Sequence, residues 1–302
     1  MRKLKEYIYR FIEKKFLDGC SNYNSLQVRK RSRSKFLARE MFEKNNIPYA
    51  KGVIFFSPLK ALKFIKDNGF PVVVKPNVGG YSRGSYFPIT NYKEFIKAFF
   101  LAKIWWPISV IESYLEGKNY RVVAFDGKII TVARRYPAFV IGDGERSISK
   151  LIDEENAIRK SMKLFPVVYS IAKDTRIKSY LKKRDLKLDS IPKKDEMIRL
   201  YHRISLIGGG TLETIELDTI PEKNKELFIK VLKIFDAKIF GIDVILEKGV
   251  EYPYDEQKCI FLEVNSRPYL KMHDYPRHGK VPHLKEFYKK ADAINPEDSD
   301  IY

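Results

Sequence analysis

Apolar positions recur three and four apart at the very start of the chain, where Leu4, Tyr7, Ile8, Phe11, Ile12 and Phe16 alternate with Lys and Arg. This pattern predicts a basic amphipathic helix over 1–17, which would dock on the protein's own body or lie on a membrane or a partner. A polar stretch, SNYNS at 21–25, follows, so residues 1–30 read as a helix and a linker. From Ser34, KFLAREMFEKNN predicts a helix that stops at Ile47-Pro48, because proline disfavours helical geometry in the residue before it. A strand at 52–56, a helix begun at Ser57-Pro58 and a strong strand at 71–75 come next. The glycine-rich segment NVGGYSRGSY then leads to a helix from Asn91.

Three β-rich runs cover 107–113, 120–126 and 128–136, the last two divided by Asp126-Gly127, a hairpin signal. Asp143-Gly144 turns the chain into a helix at 147–158. Residues 160–200 are basic and irregular, which reads as an excursion and not as a domain. Strands near 198–203 and 212–217, a helix after Pro221 and the apolar runs IFGIDVIL and CIFLEVN complete the set. Intermixed strands and helices predict an α+β fold with mainly antiparallel sheets in two lobes. The expected boundaries are 31–302 for the folded region, with a small lobe over about 31–116 and a large lobe over about 117–290.

Charge widens the list of partners. The formal net charge of +19 suits nucleic acid, an anionic surface or small polyanionic substrates. Aromatics do not interleave with the basic runs RKRSRSK and KSYLKKRDLK as a single-strand stacking platform requires, which disfavours nucleic acid. A solvated basic face is the plainer reading. No apolar run approaches the roughly 18 residues that span a bilayer, and the start lacks a signal-peptide core, so the expected location is the cytoplasm. Cys20 and Cys259, far apart, argue against a disulfide framework, and with four His any metal chemistry rests on carboxylates.

Glu263 and Asn265 stand two apart in FLEVN, so on a strand they share a face, and Asp243 in GIDVIL could reach that face from a neighbouring strand. Three oxygen ligands of this kind suit Mg²⁺; each taken alone is better read as an exposed polar position on an alternating strand, and the three are more telling jointly because each interrupts an apolar run. In PVVVKPNVGGYSRGS, Lys75 ends a strand and Gly79, Gly80 and Gly84 follow, a combination able to cradle phosphate. A flexible hairpin would look similar.

The ordered set VVVKPN, VIESYLEGKNYRVVAFDGK, GIDVIL and LEVNSRP resembles the ATP-grasp carboxylate-amine ligases. Within that superfamily it resembles the ATP-grasp portion of cyanophycin synthetases and of bifunctional glutathione synthetases, through ARRYPAFVIGDGERSISKLIDEEN, LDSIP, GGT and MHDYPRHGK. The likeness covers about residues 34–282. It implies an ATP-grasp fold whose two α+β lobes clasp ATP. It also implies Lys35 and Lys75 on the phosphates, and a mobile loop of Gly79, Gly80, Ser82 and Gly84 above them. Glu112 and the backbone of Leu115 would meet the adenine, with Asn119 where a ribose-binding acid usually stands. Asp243, Glu263 and Asn265 become ligands of Mg²⁺, or of Mn²⁺ in its place. Arg121, Arg135 and Arg267 match the family's substrate and phosphate region, with surface or salt-bridge arginine as the alternative. Tyr269 after Pro268 departs from the small residues common there, so the acceptor cannot be carried over.

The implied activity is ATP-dependent joining of an anionic carboxylate to an amino acid or other amine through an acyl phosphate. A glutathione-synthetase-like dipeptide ligase is the near alternative. A catalytically silent nucleotide-binding module or a basic nucleic-acid-binding module is the alternative of another class. Homo-oligomers are common among such ligases.

Overall fold

A computed structural model describes residues 23–78, 84–163 and 168–287. The expected helix over 1–17 and the loop residues Gly79, Gly80 and Ser82 lie outside the described residues. The described residues divide into two compact units, one falling within 23–132, 216–270 and 283–287, the other within 133–215 and 271–282.

The first unit begins with a helix that the sequence reading assigned partly to a linker. α1 (Leu26–Arg33) is capped by Ser25, whose Oγ accepts from Val28 N at 3.4 Å, and its last turn carries Lys30, Arg31 and Arg33. Cations there complement the carbonyl end of the helix dipole, so part of the basic run read as a solvated face also stabilises a helix. Ser34 ends α1 and caps α2 (Lys35–Lys44) by accepting from Leu37 N. The preceding Asn24 is 2% exposed. Its Nδ2 donates to Ile239 O at 2.8 Å and Ser266 O at 3.1 Å, while its Oδ1 accepts from Lys238 N and Ile239 N. Asn24→Ala strands several buried backbone groups, and the expected loss is about 2–4 kcal/mol in a urea denaturation series.

β1 (Gly52–Phe55), β4 (Ser109–Ser113), β2 (Val72–Pro76) and β3 (Tyr86–Ile89) form a four-stranded antiparallel sheet in that spatial order. Two helices cover it. α3 (Pro58–Asn68) starts with proline at its first turn, and α4 (Tyr92–Lys103) is capped by Asn91, which accepts from Glu94 N. They bury Ala61, Phe64 and Ile65, and Phe95, Ala98 and Ala102, in one core with Phe55, Val72, Val74 and Ile111. β3 was not expected, because its Pro88 argues against a strand; as the edge strand it can tolerate a missing N–H.

β5 (Lys118–Phe125) and β6 (Lys128–Tyr136) are joined by Asp126-Gly127, both at positive φ (45° and 79°), the geometry a two-residue hairpin requires. With β10 (Ile239–Leu246) and β11 (Cys259–Asn265) they build a sheet in the order β11-β10-β5-β6. α7 (Glu222–Ile234) buries Leu227, Phe228 and Val231. Phe228, Phe235, Phe240, Phe261 and Phe42 pack ring against ring at 5.2–6.0 Å. The expected bounds of β10 and β11 agree with the structure, because both are largely apolar runs, interrupted by Asp243 in β10 and by Glu263 and Asn265 in β11, that pair within one sheet.

The second unit contains the end of β6, β7 (Phe139–Ile141), α5 (Ile148–Ser161), α6 (Thr175–Lys182), β8 (Met197–Arg199) and β9 (Thr211–Ile215). Residues 160–200 are therefore no excursion. Ile171, Ile177, Leu181 and Ile198 enter a core with Ile148, Leu151 and Ile152. The lysine clusters around Ile177 and Leu181 hid an i, i+4 apolar pair. Residues 271–282 return to this unit: Arg277 N donates to Leu212 O at 2.8 Å, and Arg277 Nη2 meets Glu155 Oε2 at 3.2 Å. Burial opposes ionisation of Glu155, but Arg277 and Arg159 outweigh it and hold its carboxyl below the usual range.

Candidate active site

The centre of the charged cluster is Asp243 on β10. Antiparallel register sets it directly opposite Glu263 of β11 on one side and Arg121 of β5 on the other. Residues opposite each other across antiparallel strands point to one face, so three separated parts of the sequence meet in one row. Arg121 grips Asp243 with Nε on Oδ1 and with Nη2 on Oδ2 at 3.1 Å. Burial opposes the Arg121 charge, yet Asp243 outweighs it and raises the guanidinium pKa. Gly241 keeps this space open, because a Cβ there would come within 2.8 Å of Pro268 and 3.1 Å of Arg121 Nη1. Asn265, paired with Gly241, donates to its carbonyl at 3.4 Å.

Lys35, the first residue of α2, approaches Glu263 Oε2 at 3.7 Å. Its position is fixed from below: Lys35 N donates to Asn77 O, Phe36 N to Asn77 Oδ1, and Asn77 Nδ2 to Ser34 Oγ. Burial lowers the Lys35 pKa, opposed by Glu263 and assisted by the nearby Lys75. A buried ammonium whose charge is disfavoured by desolvation suits a polyanionic ligand.

Lys75 on β2 is ion-paired to Glu112 on β4, and both are buried. Arg39, one turn after Lys35 on α2, reaches Glu112 Oε2 at 3.8 Å and donates to Ala50 O. Gly52 makes that approach feasible, since a Cβ there would fall 2.5 Å from Arg39 Nη2. The sequence reading missed Arg39. The i, i+4 spacing from Lys35 was the available signal, but nothing in it distinguished Arg39 from the other cations of α2.

Lys35 feels both Glu263 and Glu112, and Arg121 feels both Asp243 and Glu263. The cluster is thus electrostatically continuous, with Lys35, Arg39, Lys75 and Arg121 set against Glu112, Asp243 and Glu263. Among the described residues no three His, Cys, Asp or Glu side chains form a ready-made metal cluster. Two facing carboxylates and an amide nevertheless make an all-oxygen donor set, which fits a hard cation and does not fit zinc.

The remaining expected residues are more scattered. Asn119 is buried on β5, opposite Ile245. Leu115 lies between β4 and β5 and lines a cavity of about 580 Å³ with Tyr49, Lys51, Tyr114, Lys258 and Ile260. None of the cluster residues Lys35, Arg39, Lys75, Arg121, Glu112, Asp243 and Glu263 lines that cavity. Gly84 has φ 69° and abuts Trp105 and Pro76. Arg267 and Tyr269 are partly exposed just beyond β11 in the first unit, while Arg135 is partly exposed on β6 in the second.

Cyanophycin synthetase from Crocosphaera subtropica is 30% identical over 284 residues, which is 92% of this chain and 32% of that protein. The glutathione biosynthesis bifunctional protein GshAB of Listeria welshimeri is 29% identical over 261 residues, 82% of this chain and 32% of its own length. The crystal structure of a bifunctional glutathione synthetase from Pasteurella multocida superposes with a TM-score of 0.61 at 24% identity, covering 91% of this chain and 37% of that one. The fold is ATP-grasp. The likeness read from the ordered motifs is borne out, and the α+β class with antiparallel sheets is observed in each unit. The ATP-grasp chain spans about a third of the length of the curated relatives it matches. No family model matches it.

Proposed function

We propose that the protein is an ADP-forming carboxylate-amine ligase that works through an acyl phosphate. The observation that carries this is the continuous charged cluster, which aligns buried lysines with a pair of facing carboxylates inside an ATP-grasp fold. A carboxylate is a poor electrophile until its oxygen bears a phosphoryl group. The transfer needs little covalent help from the protein, and its cost lies in gathering negative charge on the phosphoryl oxygens and carboxylate.

Lys35 and Lys75 would neutralise the nucleotide phosphates. Glu112 would take the adenine amino group, held in orientation by Lys75 and Arg39, with Leu115 and Asn119 completing the nucleotide contacts and Gly79 to Gly84 closing over the phosphates. Asp243, Glu263 and Asn265 would hold Mg²⁺, with Mn²⁺ as a substitute; the ion supplies Lewis-acid charge stabilisation. Arg121 orients Asp243 through hydrogen bonds to both of its carboxylate oxygens. Arg135 is our candidate for stabilising the oxyanion formed when the amine attacks, and Arg267 for holding the carboxylate. The net charge of +19 favours an anionic carboxylate substrate. The relatives named above supply the class of reaction, and we place the chain in the cytoplasm. None of the helices among the described residues is long and apolar enough to cross a membrane.

Purified protein with ATP and Mg²⁺ should release ADP only when a carboxylate and an amine are supplied together. A screen over such pairs with mass detection of the product tests this. Release that ignores both partners, or none in a protein that binds ATP, would overturn the ligase reading.

A further inference from the structure

The four-stranded sheet of the first unit carries an apolar surface that the proposed ligase chemistry does not use. Along α4 and its final turn, Phe95, Ala98 and Ala102 are buried, while Ile96, Phe100 and Ile104 form a second apolar stripe at i, i+4, i+8 on the solvent side. Phe100 is 64% exposed and Ile104 75%. The stripe continues onto the neighbouring strand end and helix start, where Phe56 is 72% and Leu59 73% exposed. Lys103 connects the two parts: its Nζ lies 5.0 Å from the Phe56 ring centroid and 5.4 Å from that of Phe99, and Phe99 packs against Phe100 at 5.1 Å. Trp105, partly exposed, extends the surface beyond α4. A helix with apolar side chains on both faces has something to cover its outer one.

The charge around the patch says what that is. Residues 56–68 and 92–106 carry six lysines, Lys60, Lys63, Lys66, Lys93, Lys97 and Lys103, and two acids, Asp67 and Glu94. Lys60, Lys63, Lys66, Lys93 and Lys97 are exposed. A second copy of the chain would bring two such lysine rims together, and like charges face to face oppose association. An apolar patch with aromatic side chains and a lysine rim is complementary to one common surface, the headgroup and acyl boundary of an anionic bilayer.

We propose that the α3–α4 face of the small sheet docks peripherally on anionic membrane surfaces. The apolar stripe enters the interface, and the lysines meet the lipid phosphates. Residues 1–17 carry an amphipathic sequence pattern of their own, which offers a second route to a membrane.

The test is vesicle co-sedimentation of the full chain, using phosphatidylcholine alone and phosphatidylcholine mixed with phosphatidylglycerol. The expected result is binding to the mixed vesicles only, weakened by salt. The Phe100→Ser/Ile104→Ser double variant should lower the partition coefficient by at least about tenfold, and Lys60→Gln/Lys97→Gln should lower it and flatten its salt dependence. Both variants change exposed side chains, so thermal melts matching the parent show that folding is not the cause. Equal binding by parent and Phe100→Ser/Ile104→Ser would overturn the proposal and move the membrane contact elsewhere in the chain. So would an absence of vesicle binding, or a concentration-dependent dimer that the same variant dissolves, which would show that a second copy covers the face.

Discussion

Asp243→Asn is expected to cut ADP-forming turnover by about 100-fold or more and to lower stability by about 3 kcal/mol. The two losses have separate causes. Asparagine keeps the shape of the side chain but gives up the charge that Arg121 faces across the β5–β10 register, leaving a buried guanidinium with a neutral partner. It also weakens the oxygen donor set shared with Glu263 and Asn265. Adding Arg121→Gln removes the stranded charge, so the double variant should regain most of the stability and none of the turnover. Urea midpoints and ADP release, measured on the parent, the single variants and the double, distinguish these effects. Recovery of turnover in the double variant would show that Asp243 serves only as a partner for Arg121.

The second large effect is at Glu112. Its carboxylate lies between Lys75 and Arg39, and all three side chains are buried. Glu112→Gln would leave two buried cations facing an amide, and the expected cost is about 3–5 kcal/mol. Lys75→Met in the same chain should restore part of it, with a coupling energy of about 1–3 kcal/mol in the double-mutant cycle. Lys75→Met alone should weaken ATP binding in a titration even where stability is regained, because the ammonium is assigned to the phosphates. A Glu112→Gln change worth under about 1 kcal/mol would mean that water reaches the cluster and screens it.

How much of this could be read beforehand follows from the range over which each residue acts. Asp243, Glu263 and Asn265 were legible because a polar group interrupting an apolar strand is visible from local sequence alone. Their partners were less so. Arg121 was found through its motif, but its grip on Asp243 depends on β5 pairing with β10, a contact spanning 122 residues. Arg39 closes on Glu112 only because Gly52 leaves room, and no local pattern reports that. Asn24 looked like linker polarity, since its four hydrogen bonds go to backbone more than 200 residues away. In 160–200 the lysines concealed Ile171, Ile177 and Leu181, whose burial depends on α5, β7 and β8 being in place. Pro88 concealed β3, because an edge position cannot be told from a central one until the sheet is assembled.

The most direct test of the acyl-phosphate ligase chemistry follows an atom. With the carboxylate substrate labelled with oxygen-18 at its carboxyl group and the amine present, phosphoryl transfer to that carboxylate followed by amine attack leaves one carboxyl oxygen on the released phosphate. The prediction is one oxygen-18 in inorganic phosphate for each ADP formed. Phosphate free of the label, with ADP and product formed at the normal rate, would contradict it.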